Sequence, residues 1–316
     1  MRAVGDMLDS IPGPAVEVGV RPTRLQRRLI EAGFDIRETP PDRIQFLHSV
    51  FCHVGLPRRK SHARVFERWS GHVGMRVEAG QWFDGTTDID QPLPYGVIPR
   101  LVMIYLSTEA IRTRCRCIEL GSIRGLLASL GLQTSGGVRG GYAALRTQLD
   151  ALAACRMILS FQAQGEPSIV DTMPIERFEG WWRQGDVMPQ TCTGKLELSE
   201  WFYNSLTEHA VPVDARALNA IRHSALSMDV YVWLAQRLCR VKSMRGTMLS
   251  WHNLYSQFGQ DYRNPKDFKR ELRRAIRQVL VVYPDARVRE VVGGIELYPS
   301  APPIARRIRS LQPDPL

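Results

Sequence analysis

Six cations, Lys266, Lys269, Arg270, Arg273, Arg274 and Arg277, crowd into the stretch PKDFKRELRRAIRQVLVV at 265 to 282, spaced to gather on one side of a helix. At about 100° per residue, Phe268, Leu272, Ala275, Ile276 and Val279 share the opposite arc. Asp267 and Glu271 offset two charges and leave the segment at +4. Ammonium and guanidinium groups at this density bind phosphates, and a planar guanidinium can also pair with a guanine edge. Arg273 or Arg277, near the middle of the cationic face, is the best placed to do so, and the sequence does not choose between them. Asn264 reads as an N-cap, Pro265 suits the first turn, and Pro284 stops the helix. The implied chemistry is recognition of a polyanion.

Bond-making chemistry finds little support. A nicking initiator needs a tyrosine and a metal held by a His-x-His pair, and the histidines at 48, 53, 62, 72, 209, 223 and 252 contain no such pair. SGGVRGG at 135 to 141 has the glycines of a phosphate loop but no lysine, and it precedes a helix, so it reads as a turn. Gly194-Lys195 is followed by leucine. His48, Cys52 and His53 could form a corner of a metal site, but no fourth ligand is in view, and packing is the simpler role. Of the cysteines at 52, 115, 117, 155, 192 and 239, none has finger spacing, and mostly buried, reduced thiols are expected, with Cys155 and Cys239 in apolar helical patterns. QLDAL at 148 to 152 resembles a sliding-clamp docking motif, yet its leucines fit core positions of a helix better. No enzyme activity, metal or cofactor is expected.

The elements that must position the cations are legible on both sides of them. Ala286 to Val292 and Ile295 to Tyr298 read as a hairpin turned by Gly293-Gly294. Ser250 to Phe258, with Trp251, Leu254, Tyr255 and Phe258 at helical spacing and Gly259 behind them, reads as a short helix. Helix, turn, basic helix and hairpin is the winged-helix order, in which the second helix enters the major groove and the wing touches backbone. Arg287 and Arg289 alternate on the first wing strand and so share one face, suited to that backbone contact.

A shift of 128 positions superposes the region from about Leu101 to Gly131 on this unit: Ile104 on Val232, Leu106 on Leu234, Ser122 on Ser250, Leu126 on Leu254 and Gly131 on Gly259. After a single-residue gap, Leu145, Leu149 and Leu152 fall on Leu272, Ile276 and Val279. The expected fold is therefore α+β and mainly helical, with two tandem winged-helix domains from an internal duplication. The third helix of the first copy, about Arg139 to Ala154, carries only Arg139 and Arg146 against Asp150, so base reading is assigned to the second copy. The first copy is left for auxiliary DNA contact, dimerisation, or both. Its wing is expected at Arg156 to Gln162 and Ser168 to Ile175.

Residues 1–40 are expected to be a mobile lead, 41–185 the first domain, 194–300 the second, and 301–316 a disordered basic tail with Arg306, Arg307 and Arg309. The span 177–194 reads as the connection between domains. Asp42 to Val54 is expected to be helical, and Met75 to Asp84 a strand. LPRRK at 56 to 60, with Arg64 and Arg68, could equally be a second phosphate patch or a solvated loop. A net charge of +10 favours nucleic acid as partner. Although 44% of residues are hydrophobic, no apolar run nears the roughly 18 needed to span a bilayer, and no leader is visible, so a cytoplasmic protein is expected.

Longer blocks carry a family likeness. FCHVGLPRRK at 51 to 60, QPLPYGVIPRLVMIYLSTEAIRT at 91 to 113, LDALAACRM at 149 to 157, TEHAVPVDARALNAIRHSALSMDVYVWLAQRL at 207 to 238 and FGQDYRNPKDFKRELRRAIRQVLVVYPDARV at 258 to 288 resemble the plasmid-encoded RepA replication initiators. The resemblance implies a protein of bacterial cytoplasm that binds iteron repeats in the double-stranded DNA of a plasmid origin, helps open the duplex, and recruits the host replicative helicase and host initiator protein. It also implies homodimerisation through the first winged-helix domain. The competing expectation is a winged-helix autorepressor with no origin function. The two differ in whether the gene and an origin fragment sustain replication.

Overall fold

A computed structural model describes residues 21–83, 85–138, 140–163, 166–180 and 193–305. In chain order the first half runs α1 (Arg24–Glu38), β1 (Ile44–His48), α2 (Ser49–His53), β2 (Val65–Ser70), β3 (Val73–Glu78), β4 (Gln81–Phe83), β5 (Asp88–Asp90), α3 (Val97–Thr113), β6 (Cys117–Gly121), α4 (Ile123–Ser129), α5 (Gly141–Ala154), β7 (Arg156–Ala163) and β8 (Glu166–Thr172). The second half runs β9 (Ile175–Glu179), β10 (Gly194–Leu198), α6 (Glu200–His209), β11 (Ala210–Asp214), α7 (Ala215–Ile221), α8 (Ala225–Arg237), β12 (Thr247–Ser250), α9 (Trp251–Phe258), α10 (Pro265–Val282), β13 (Val288–Val291) and β14 (Gly294–Leu297). The fold is mixed α+β with several small antiparallel sheets.

The repeat is a repeat of structure. In each copy a long buried helix, α3 or α8, leads through a strand into a short helix and then a longer one. Ser122 and Ser250 are both N-caps, accepting from Gly125 N at 3.1 Å and Asn253 N at 3.2 Å. Leu145, Leu149 and Leu152 are fully buried, and so are Leu272, Ile276 and Val279. Each three-stranded sheet has the same order. The strand before the short helix pairs with the last strand, which pairs with the middle one: β6-β10-β9 and β12-β14-β13.

That order corrects two expectations. The hairpin occupying the wing position of the first copy is β9–β10, so the span expected to link two domains belongs to the first unit, with residues 181–192 outside the described residues. The pair expected as the wing, β7–β8, does form, but β7 turns its other edge to β3, giving the sheet β2-β3-β7-β8. Alternation and turn residues show that two strands pair; they are silent on which third strand takes the free edge.

Other expectations change for similar reasons. Within the supposed mobile lead, α1 is closed by a capping box in which Thr23 and Gln26 each accept from the other's backbone. It buries Leu29 and packs on α7 and α10. At Gly33 a Cβ would lie 2.3 Å from the Val281 carbonyl, so only glycine allows this approach. Residues 1–20 fall outside the described residues. Of the expected helix from Asp42 to Val54, the first half is β1, drawn into antiparallel pairing with β11 far along the chain. The expected strand from Met75 breaks at Gly80, where a Cβ would sit 1.9 Å from the Ala154 carbonyl. The described start of the tail is packed, with Ile304 buried and the Tyr283 hydroxyl donating to Ala301 O at 2.6 Å. Cys52 and Cys155 are buried, whereas Cys115, Cys117 and Cys239 are exposed, Cys239 because α8 has already ended. Cys192 falls outside the described residues.

The two copies are riveted by buried charge. Arg100 of α3 grips Asp229 of α8 through Nε at 2.7 Å and Nη2 at 2.9 Å, while donating to the carbonyls of Leu56 and Pro57. Arg58 and Arg68 face the same carboxylate at 3.4 and 3.8 Å and reach Asp261 at 2.7 and 3.3 Å. Three guanidiniums thus share two carboxylates out of solvent. Burial alone would raise the Asp229 pKa, but Arg100, then Arg58 and Arg68, hold it below the ordinary value. Burial lowers the Arg68 pKa to about 9, aided by Arg58. Arg58 and Arg68 are therefore neither solvated nor open to phosphate, whereas Arg59, Lys60 and Arg64 stay exposed. Arg59 lies 5.7 Å over the Tyr262 ring, and Arg64 donates to the Ala79, Gly80 and Gln91 carbonyls.

Candidate nucleic-acid interface

Helix α10 begins where the sequence places it. The Asn264 side chain accepts from Lys266 N at 2.9 Å, and Pro265 occupies the first turn. Phe268, Leu272, Ala275, Ile276, Val279 and Val282 are buried, and Tyr255 and Tyr262 meet Phe268 edge-on at 5.3 and 5.6 Å. This anchorage fixes the helix in rotation. The cationic side must face outward.

The six cations then divide by what they touch. Arg273 donates to both oxygens of Glu290 on β13, from Nε at 2.8 and 2.9 Å and also from Nη2, and lies 5.3 Å over the Trp251 ring. Lys269 sits 4.5 Å over the same ring. Lys269 therefore ties α10 to α9, and Arg273 ties it to both α9 and the hairpin. Arg270 is shared between Asp267 at 3.1 Å and Glu271 at 3.4 Å. Lys266, Arg274 and Arg277 are exposed and in no ion pair among the described residues. On a wheel of about 100° per residue, Lys266, Arg270, Arg274 and Arg277 form one ridge diametrically opposite the buried stripe.

The hairpin stands against one flank of that ridge. Gly293 turns it at φ 92°, and a Cβ on Gly294 would lie 2.0 Å from the Leu249 carbonyl. Arg287 and Arg289 each approach the Tyr298 ring at 5.8 Å, so they do share a face. Arg289 is also paired to Glu296 at 2.8 Å. In the first copy, Arg146 pairs with Asp150 at 3.8 Å, and Arg139 lies outside the described residues.

Arg273→Ala separates the two kinds of cation. The Arg273–Glu290 pair is partly solvent-exposed, so the variant should lose no more than about 1 kcal/mol in a urea melt. Its DNA affinity should fall less than that of Arg277→Ala in a gel shift. A larger fall for Arg273→Ala would give this side chain a direct DNA contact.

The residues doubted as metal ligands are each engaged inside the fold. His48 Nδ1 accepts from Val50 N at 3.1 Å and its Nε2 meets Ser205 at 2.9 Å; burial, then His209, lowers its pKa to about 4. His53 Nε2 meets the Gln236 amide at 2.7 Å, and burial pushes the Cys52 thiol far up. In QLDAL, Leu149 and Leu152 are buried within α5 and Gln148 accepts from Tyr95 N at 2.7 Å, which leaves no extended peptide to dock. Sequence reasoning missed α1. The helix packs on α10 and its Arg28 reaches His223, and the capping box at Thr23 with apolar Leu25, Leu29, Ala32 and Ile36 was the signal that could have found it.

The mixed α+β fold thus repeats one helical unit and, in its second copy, presents a ridge of exposed cations. Residues 93–253, just over half of the chain, match the family described as plasmid encoded RepA protein. The chain belongs to this family, a family of plasmid replication proteins. The matched stretch runs from before α3 into α9 and stops short of α10. No match was found among curated proteins. Among solved structures the chain is similar to domains 2 and 3 of RctB, determined as selenomethionine derivatives, at 12% identity and a TM-score of 0.48, covering 78% of this chain and 93% of that one. No helix among the described residues is long and apolar enough to cross a membrane.

Proposed function

We propose that this protein is a non-enzymatic replication initiator that binds iteron repeats of a plasmid origin through two winged-helix units. The observation that carries the reading is the ridge of Lys266, Arg274 and Arg277 on a rotationally fixed helix, framed by the β13–β14 hairpin. A helix of that kind fits a major groove with its exposed face toward base edges, while the hairpin meets the adjoining backbone. The second unit reads sequence. The first, whose α5 has no comparable ridge among the described residues, adds backbone contacts and forms the homodimer interface.

Bound side by side on direct repeats, several copies bend the duplex and lower the cost of opening adjacent A·T-rich DNA. The host replicative helicase and host initiator protein are then recruited to the opened strand. The test is binding to the direct repeats flanking the gene, compared with a scrambled duplex of equal length. Preference for the repeats by about a thousand-fold or more supports sequence-specific initiation. Equal affinity for both duplexes would leave only non-specific attraction and overturn the reading.

A further inference from the structure

The flank of α10 opposite the hairpin is closed by α1 and by the turn between α7 and α8. Arg28 Nη2 lies 3.2 Å from His223 Nδ1, while Gln278 bonds the same imidazole and Gly33 sits under the Val281 carbonyl. These contacts make α1 run beside α10 in the same direction, with its first turns alongside Arg274. Three guanidiniums gather at this corner: Arg28 is bonded to His223, Arg274 lies close enough to lower the His223 pKa, and Arg222, the residue before His223, lies close enough to Arg28 to be repelled by it.

No carboxylate is bonded to any of the three among the described residues. Arg28 Nε is buried with no hydrogen-bond partner. Arg222 Nη1 has only a 3.5 Å contact to Asn219, and its guanidinium fills the space over Gly131, where a Cβ would lie 1.6 Å from Nη1. Gly131 holds a positive φ of 64° at the end of α4, so the first unit helps to fix Arg222 in place. Burial, then Arg28, holds the His223 pKa below its ordinary value; the neutral ring accepts from Arg28 and fixes its direction. Elsewhere in the fold, buried arginines are matched by Asp229 and Asp261. This cluster repels itself, and an anion would relieve it.

We infer that Arg28, Arg222 and Arg274 form a phosphate-binding site for the backbone of the same duplex that α10 enters. The inference rests on the DNA-binding reading above and extends it to α1, which that reading does not use. A groove about 12 Å wide is bordered by two phosphate strands. The hairpin stands at one border and the arginine cluster at the other, so α10 is held from both sides. Phosphate contacts of this kind position a protein and carry no sequence information.

The experiment measures binding of repeat and scrambled duplexes by fluorescence anisotropy over a range of salt, for the full chain and for Arg28→Gln/Arg222→Gln. Affinity should fall about ten-fold or more on both duplexes. Their ratio should hold, and the salt slope should shrink by nearly 2, at roughly 0.9 per lost contact. Melting should be unchanged or higher, since like charges are removed; Arg28→Lys/Arg222→Lys, which keeps both charges, should restore most of the slope. A folded Gln variant with unchanged affinity and slope overturns the inference. Arg277→Gln tells the two failures apart: if it weakens binding while the double variant does not, only this site is lost, and if neither does, the reading of α10 fails as well.

Discussion

Asp229→Ala is expected to destabilise the folded chain by about 3–5 kcal/mol, because it strands buried guanidiniums without their counter-charge. Arg100 loses both of its ion-pair bonds, and Arg58 and Arg68 are left to share Asp261. Asp229→Asn keeps the shape and removes only the charge, so it should lose most of the same stability. The pH dependence follows from the depressed Asp229 pKa. A group whose folded pKa lies below its unfolded value contributes stability that is present above the unfolded value, here the ordinary 3.8, and is lost as pH falls through the folded pKa. Acid should therefore erode the difference between native protein and Asp229→Asn, but only below about pH 4. Urea melts of the three proteins at neutral pH and at about pH 3 test this. A neutral-pH loss under about 1 kcal/mol would mean that the cluster relaxes or hydrates without Asp229, and the rivet would not hold the two units together.

The second large effect lies in binding. Replacing Lys266, Arg274 and Arg277 together with glutamine should weaken repeat binding by two to four orders of magnitude, about 3–6 kcal/mol at roughly 1–2 kcal/mol per contact. The salt slope should shrink by nearly 3. Folding should be unaffected, because none of the three is in an ion pair among the described residues and the buried face of α10 is untouched. Taken singly, the variants distinguish base readers from phosphate contacts. A residue that reads a base loses preference for the repeat, while a phosphate contact loses affinity equally on all sequences. A folded triple variant that binds as tightly as the native chain would remove α10 from the interface.

Much of α10 was legible without the structure because its determinants are local. The 3–4 spacing of Phe268, Leu272, Ile276 and Val279 forces one face inward, and whichever partner covers it, the cations must go outward. The N-cap at Asn264 and the glycine turn at Gly293 are local in the same sense, as is the shared register of Ser122 with Ser250. What each cation does was not legible. Arg273 and Arg277 are chemically identical and one turn apart, yet Arg273 is bound to Glu290 on β13 and Arg277 faces solvent.

Spacing along the chain, then, determined the periodic elements, the caps, the tight turns and the side of α10 that carries charge. It also determined that two stretches share one pattern of buried positions, because hydrophobic register survives even where residue identity does not. Tertiary structure alone decided which strand completes each sheet, placing the β9–β10 hairpin in the sheet of the first copy and pulling β1 out of a helical pattern. It also decided the fate of charge. Arg58 and Arg68 read like surface cations until Asp229 and Asp261, from distant segments, fold against them, and Arg28 looked like part of a loose lead until α1 docked on α10. The reason is common to all of these. Propensity is a property of neighbours in sequence, whereas strand partnership and the electrostatic environment of a side chain are set by groups remote along the chain, such as Glu119 for Lys195, Asp214 for Ile44, Asp229 for Arg100 and His223 for Arg28.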